Sequence, residues 1–327
     1  MKLVKPSVEI LEQEDLFKHI ELCARTCYKS EDKITDDSAV QFVERLIKSG
    51  HCAMLEHGTV YLYFKNDMPN DIYDIIERYK RNDYSELVTW WTPEKDVWQY
   101  YITTNYRVLV ENDWLDDLRF QTEPTKYHNK RISVKFVCDR GVSHELVRHR
   151  VFSFAQESTR YCNYSKDKFD NEITFIQPCW YTPGAVSSDE FRVMLEQSEE
   201  NYFRLLNFGW QPQQARAVLP NALKTEIVMT GFLKDWFGEV RSQYKTGENQ
   251  QGMTVWGTII GYPDKWSEDL EKIVKEKCKD DVNRRVEVSG FFPLRIAQSA
   301  HPQMRELAIP LYEMFKERKL KVDFYDR

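Results

Sequence analysis

An α+β fold, a mixed sheet with helices packed on it, is predicted by three observations. Apolar residues recur at helical spacing over Val40, Val43, Leu46 and Ile47, and again over Phe191, Met194, Leu195, Tyr202 and Leu205. Strand patterns lie between them: β-branched and aromatic residues crowd into Val60-Tyr61-Leu62-Tyr63-Phe64, and Ile132, Val134, Phe136 and Cys138 alternate with polar or smaller neighbours. No Pro/Gly/Ser-rich linker, low-complexity stretch or internal repeat divides the 327 residues, so a single domain is expected over 1–327.

Taken in order, the elements are punctuated by caps and breakers. Ser38 is placed to cap the first amphipathic helix and Gly50 to stop it, after which His51 to His57 make a turn into the strand at Val60. Residues 66 to 130, where Trp90, Trp91, Trp98, Tyr100 and Tyr101 sit among many charges, are expected to hold a helix and then a strand around Tyr106 to Val110. The strand at Ile132 to Cys138 leads into a short helix, capped by Ser143, that runs to Arg148. A long helix should open near Ser188-Asp189 and close at Gly209, and Arg216 should stand on a short turn between Pro212 and Pro220.

Charge narrows the function classes. With Lys+Arg 46 against Asp+Glu 52, net −6, the chain has no broad cationic stripe for tracking nucleic-acid phosphates. The start lacks an apolar signal core and no segment approaches the ~20 apolar residues of a membrane span, so a cytoplasmic protein is expected. Its 7 cysteines are odd in number and scattered, which argues against a disulfide framework. Cys23 and Cys27 lack zinc spacing and a second pair, and read as buried positions of one helix.

Against this acidic background one positive cluster is local: Arg148-His149-Arg150-Val151-Phe152-Ser153-Phe154-Ala155-Gln156-Glu157-Ser158-Thr159-Arg160-Tyr161. Guanidinium groups suit two-pronged recognition of phosphate, and serine adds a donor to the same anion. A small anionic guest is therefore expected. Consecutive helical residues diverge by about 100° around the axis, so Arg148, His149 and Arg150 should reach different places.

The spacing Arg-His-Arg, seven residues, Ser, then Thr-Arg-Tyr resembles the signature of the flavin-dependent thymidylate synthase family. Further stretches are similar to other landmarks of that family: Gly50-His51-Cys52-Ala53-Met54-Leu55-Glu56-His57, Ala215-Arg216-Ala217-Val218-Leu219-Pro220, and Phe291-Phe292-Pro293-Leu294-Arg295 followed by Ala300-His301-Pro302. The resemblance implies FAD as cofactor, methylenetetrahydrofolate and NADPH as co-substrates, dUMP as substrate, and a homotetramer with sites between subunits. It assigns His51, Ala53, Glu56, Arg148, His149 and Arg150 to flavin and folate. Gln156, Glu157, Ser158, Arg160, Arg216 and Arg295 go to dUMP, with Arg295 the catalytic cation that polarises the pyrimidine. Relative to the family pattern, 237–289 is an insertion that reads as a small α/β module: a strand at Thr254 to Ile260, a turn at Gly261-Tyr262-Pro263-Asp264, and a helix from Ser267 burying Leu270, Ile273, Val274 and Cys278.

Competing readings are weighed against this one. Cys162 lies in the arginine loop, but a nucleophilic cysteine needs a depressed pKa and a partner, so it reads as a packing group. Ser158 shows no histidine and acid pair and reads as a binding residue. His51, His57, His144 and His149 do not form an established zinc spacing, and no metal is expected. Glu145, Phe232, Lys234 and Ser299 depart from the commoner family residues, glutamine being usual at the first, so their contacts are not carried over. Methylation of dUMP is favoured over its hydroxymethylation within the same fold, and over nucleic-acid binding.

Overall fold

The alternating stretch Ile132–Cys138 lies inside the central sheet of the molecule. A computed structural model describes residues 1–66, 72–93, 96–166, 169–245, 252–258 and 285–320. In chain order the first elements are β1 (Lys2–Val4), β2 (Ser7–Leu11), α1 (Leu16–Tyr28), α2 (Ser38–Lys48), β3 (Thr59–Lys65), α3 (Ile72–Lys80), β4 (Glu86–Thr92), β5 (Val97–Asn105) and α4 (Tyr106–Glu111). Then come β6 (Arg131–Asp139), α5 (Arg140–Leu146), β7 (Ser153–Gln156), β8 (Thr174–Ile176), α6 (Val186–Asn207), α7 (Pro212–Ala215), β9 (Lys224–Phe232) and α8 (Leu233–Phe237). β10 (Glu239–Lys245), β11 (Gly252–Thr258), β12 (Arg285–Val288), α9 (Phe291–Ile296) and α10 (Pro302–Glu317) complete the series.

The fold class is α+β, with the strands gathered into separate sheets among the described residues. The central sheet runs β2-β6-β9-β7, all antiparallel, and a second antiparallel sheet runs β3-β5-β4. Parallel pairing is confined to β1 with β8, so the mixed character lies between sheets and not within one.

The central sheet is covered by α8, α9 and α10. Trp236 is fully buried there, its ring centroid 4.7 Å from Phe152, 5.1 Å from Phe291 and 5.6 Å from Phe315. Truncating a buried aromatic of this kind costs about 3–5 kcal/mol, so this cluster anchors the two segments that carry the site, the loop after α5 and helix α9. A second core joins α1, α2 and α3 to β3 and β5, and a third packs α6 beside β8.

Several local expectations are corrected by the same physics that motivated them. Helix α2 begins at Ser38 itself with Asp37 before it; the Ser38 hydroxyl does not cap the helix but lies within hydrogen-bond distance of two acceptors, Glu21 Oε2 (2.8 Å) and the Thr35 carbonyl (3.0 Å). Val40 faces solvent, leaving Ala39, Val43 and Leu46 as the buried stripe. The expected strand at Tyr106 to Val110 is helix α4, because Asn105 caps it by accepting from the Val108 N–H (3.2 Å); the strand lies just before, in β5. Helix α5 is capped by Asp139, whose Oδ1 accepts from Val142 N–H (2.8 Å), while Ser143 is buried and donates to the Arg140 carbonyl (2.9 Å). Helix α6 opens at Val186, without a side-chain cap, and exposes Met194 while burying Leu195 and Tyr202. Cys23 is buried on α1; Cys27 is only partly so.

Gly238 and Gly290 bring the two ends of 237–289 together. Both have positive φ, and a Cβ on Gly290 would stand 2.2 Å from the Gly238 Cα. Only residues without a side chain allow so close a backbone approach. Between them β10 pairs with β11 and β12, and β11 covers much of the strand expected at Thr254 to Ile260. The turn at Gly261 to Asp264 and the helix from Ser267 to Cys278 lie outside the described residues.

Candidate functional site

Helix α5 ends at Leu146, and the next residues turn so that their side chains separate. His149 N–H donates to the Leu146 carbonyl (3.1 Å) and Phe152 N–H to that of His149 (3.1 Å), a tight succession that turns His149 inward. Arg148 and Arg150 are exposed on either side of it, and among the described residues neither has an ion-pair partner.

Arg295, on α9, comes to His149 across the chain. Its Nε–H donates to His149 Nε2 (2.8 Å), Nη1 to Glu145 Oε2 (3.0 Å) and Nη2 to the Glu145 carbonyl (3.0 Å). Burial, then the neighbouring Arg295 charge, depresses the His149 pKa to about 4, so the ring is neutral near pH 7 and Nε2 can accept. Burial also lowers the Arg295 pKa, against the opposing pull of Glu145, yet the guanidinium remains a cation. A cleft of about 320 Å³ lined by Asp139, Glu145, Trp180, His301 and Gln303 opens beside this group.

The second half of the arginine loop is held from behind. Glu157 N–H donates to the Glu226 carbonyl (2.8 Å) and Ser158 N–H to that of Cys27 (2.9 Å), pinning the loop between β9 and the end of α1. The Glu157 side chain is buried and its Oε2 takes Lys224 Nζ (3.1 Å). Lys224 also bonds Glu226, on which Lys29 (2.8 Å) and Lys135 (2.7 Å) converge. Burial alone would raise the Glu226 pKa, but the lysines, Lys224 and Lys29 foremost, outweigh it and hold the carboxyl well below the ordinary range. Breaking a buried pair costs about 3–5 kcal/mol, so the carboxylate is a strong clamp on β9 and the loop. Gln156 Nε2 donates to Ser143 Oγ (2.8 Å), and beyond it Thr159 is buried while Arg160 is exposed. Arg216, exposed on the turn after α7, donates from Nη1 to Thr159 Oγ1 (2.9 Å). Cys162 is buried behind them.

The Gly-His element is a 3-10 turn over Cys52–His57. His51 and Ala53 are exposed at its start, whereas Glu56 is committed to Arg107 and its carbonyl to Arg131 Nη1 (3.0 Å). His57 is buried: its Nδ1 meets Thr230 Oγ1 (2.8 Å), Thr230 meets Ser133 (2.7 Å) and Ser133 meets His19 Nε2 (2.9 Å). Burial lowers the pKa of His57 to about 3 and that of His19 to about 4. His51, His144 and His149 do not converge with it, and among the described residues no group of three or more His, Cys, Asp or Glu could hold a metal.

The predicted residues thus fall into three places. Arg295 and His149 are together, Arg216 joins the Ser158 to Arg160 end of the loop, and His51, Ala53 and Glu56 sit on the Cys52–His57 turn. Among the described residues no hydrogen bond joins the first two groups. Sequence reasoning missed the bond between Glu145 and Arg295 and the lysine cage around Glu226. For the cage one signal existed: Lys224 and Glu226 stand two apart on a strand with no other charged residue, so their side chains share a face.

Fold and site define an α+β protein with a convergent arginine and histidine centre behind a loop rich in cations. Residues 127–251 match the family model described as thymidylate synthase complementing protein, Thy1. The chain is 35% identical over 96 residues to the flavin-dependent thymidylate synthase of Geobacter sulfurreducens, a match covering 28% of this chain and 38% of that one. It is 35% identical over 116 residues to that of Mycobacterium avium, covering 30% and 42%. Over these segments the chain resembles flavin-dependent thymidylate synthases. Its matched segments span about two fifths of those relatives' own length. A solved UMP/dUMP methylase from Streptomyces cacaoi bound with 5-Br dUMP covers 72% of this chain and 79% of its own at 16% identity, with a TM-score of 0.28, too slight a likeness to carry an argument.

Proposed function

We propose that the protein is a flavin-dependent thymidylate synthase that methylates dUMP to dTMP, with FAD as cofactor, methylenetetrahydrofolate as carbon donor and NADPH as reductant. The observation that carries this reading is the meeting of Arg295 with His149, two landmarks 146 positions apart, beside uncommitted arginines. A pyrimidine becomes nucleophilic at carbon 5 only where charge building on the ring is stabilised, and a partly desolvated guanidinium does so more strongly than one in water. Arg295 takes that part; the neutral His149 fixes its direction without adding a competing charge.

Ser158, Arg160 and Arg216 hold the nucleotide phosphate, each charge-assisted bond contributing about 1.5–3 kcal/mol. Gln156 and Glu157, held from behind by Ser143 and Lys224, set the direction of that segment. A flavin dinucleotide brings a pyrophosphate, and the exposed Arg148 and Arg150, without an ion-pair partner among the described residues, fit such an anion, as the exposed edge of His51 and Ala53 and the neighbouring Glu56 fit a planar ring system. Reduced flavin supplies the hydride when bound, so the chain itself needs no nucleophile, in keeping with a buried Cys162. A homotetramer in the cytoplasm, with sites between subunits, belongs to the same reading, and no helix among the described residues is long and apolar enough to cross a membrane.

The test is direct. Purified protein should be yellow, bind dUMP, and with methylenetetrahydrofolate and NADPH release a product with the mass of dTMP. Failure to bind either FAD or dUMP would overturn the proposal.

A further inference from the structure

Arg295 is not a free cation. Of its five N–H groups, the Nε–H is bound to His149 Nε2 (2.8 Å), one on Nη1 to Glu145 Oε2 (3.0 Å) and one on Nη2 to the Glu145 carbonyl (3.0 Å). Glu145 therefore supplies two of three acceptors, one of them charged, at a place where the side chains keep only 17% (Arg295) and 29% (Glu145) of their exposure. Resting on the reading of Arg295 as the base-facing cation, we propose that Glu145 is a positioning residue that competes with the incoming pyrimidine for Arg295 and so sets nucleotide affinity.

Glu145 and the pyrimidine share the same donors. A pyrimidine carbonyl draws fully on the guanidinium only when the carboxylate releases part of it, and a carboxylate is a stronger acceptor for a cation than a neutral carbonyl. The apparent dissociation constant is the intrinsic one divided by the fraction of molecules in which Arg295 is available, so a largely occupied Arg295 weakens binding. Two of the three contacts, His149 Nε2 and the Glu145 main-chain oxygen, do not involve the carboxylate. They keep Arg295 in place when the side chain is neutralised. A glutamine would hold the arginine through an amide oxygen alone, losing the charge attraction while retaining size and shape.

The experiment compares wild type with Glu145→Gln in the FAD-loaded full chain, measuring the dUMP dissociation constant, KM, kcat and thermal midpoint. The substitution is expected to tighten dUMP binding and lower KM about five- to tenfold while kcat stays within about twofold. A merely structural ion pair would instead lower the thermal midpoint and leave the dissociation constant unchanged or weaker, and that result overturns the competition. Wild type that binds no dUMP overturns the functional reading and this inference together; wild type that binds it, with an unaltered constant in the variant, overturns the inference alone.

Discussion

Arg295 Nε and His149 Nε2 meet at 2.8 Å, so an arginine near one end of the chain is aimed by an imidazole that burial keeps uncharged. The neutral state is what makes the contact attractive, since a protonated ring would place two cations within hydrogen-bond distance. Burial lowers the pKa of three other histidines as well, His19, His57 and His128.

Arg216 and Arg148 should divide the ligands between them. Arg216 has one side-chain contact, to Thr159, at the far end of the loop, whereas Arg148 follows α5 directly. Arg216→Ala is expected to weaken dUMP binding about ten- to hundredfold with FAD still bound, and Arg148→Ala to harm FAD more. Parallel titrations of both ligands check this; equal loss of both in both variants would sink the division.

Gly231 should not tolerate alanine. A Cβ there would lie 2.2 Å from Cδ1 of Phe152, whose ring packs on Trp236 (4.7 Å) and on His149 (6.2 Å). Gly231→Ala is expected to cost about 1–3 kcal/mol in denaturant unfolding, and Phe152→Leu in the same chain to restore part of it. A Gly231→Ala protein as stable as wild type would contradict the packing described.

Acid should unfold the protein through its histidines. The pKa values of His19 and His149 are about 4 and that of His57 about 3 in the folded chain, all below the ordinary 6.5, chiefly because of burial. The unfolded chain therefore binds protons first as pH falls. Stability is full above about 6.5 and is lost from there down to about 4 for His19 and His149 and about 3 for His57; near pH 5 the buried His19 and His57 cost about 2 kcal/mol apiece. The thermal midpoint should drop across that window, and His57→Gln should make the drop shallower. A midpoint unchanged from pH 7 to pH 5 would refute the assignment.

Much of the frame was legible in the chain. The alternation at Ile132 to Cys138 and the β-branched run at Val60 became β6 and β3 because a period of two leaves one face to the core whatever its neighbours are. Helices α2 and α6 stop beside Gly50 and Gly209, as expected where the backbone turns to positive φ. Caps were read less well. Ser38 and Ser143 are cap-type residues by sequence, but Glu21 and the Arg140 carbonyl take their hydroxyls, while Asp139 and Asn105 do the capping of α5 and α4. One residue type competes for local and distant partners, and the distant ones are invisible in sequence.

The same limit governs the site. By itself the sequence determined which side chains carry charge and that four family landmarks follow in order, since these depend on residue type alone; the divergence of Arg148, His149 and Arg150 comes from the turn that follows Leu146, where α5 ends short of the expected Arg148. Only the tertiary structure decided that Arg295 is taken by Glu145 and His149, that three lysines surround Glu226, and that His57 is buried on Thr230. Hydrogen bonds and ion pairs act over a few ångströms, and partners 146 or 173 positions apart are brought within that range only when the sheets and helices pack.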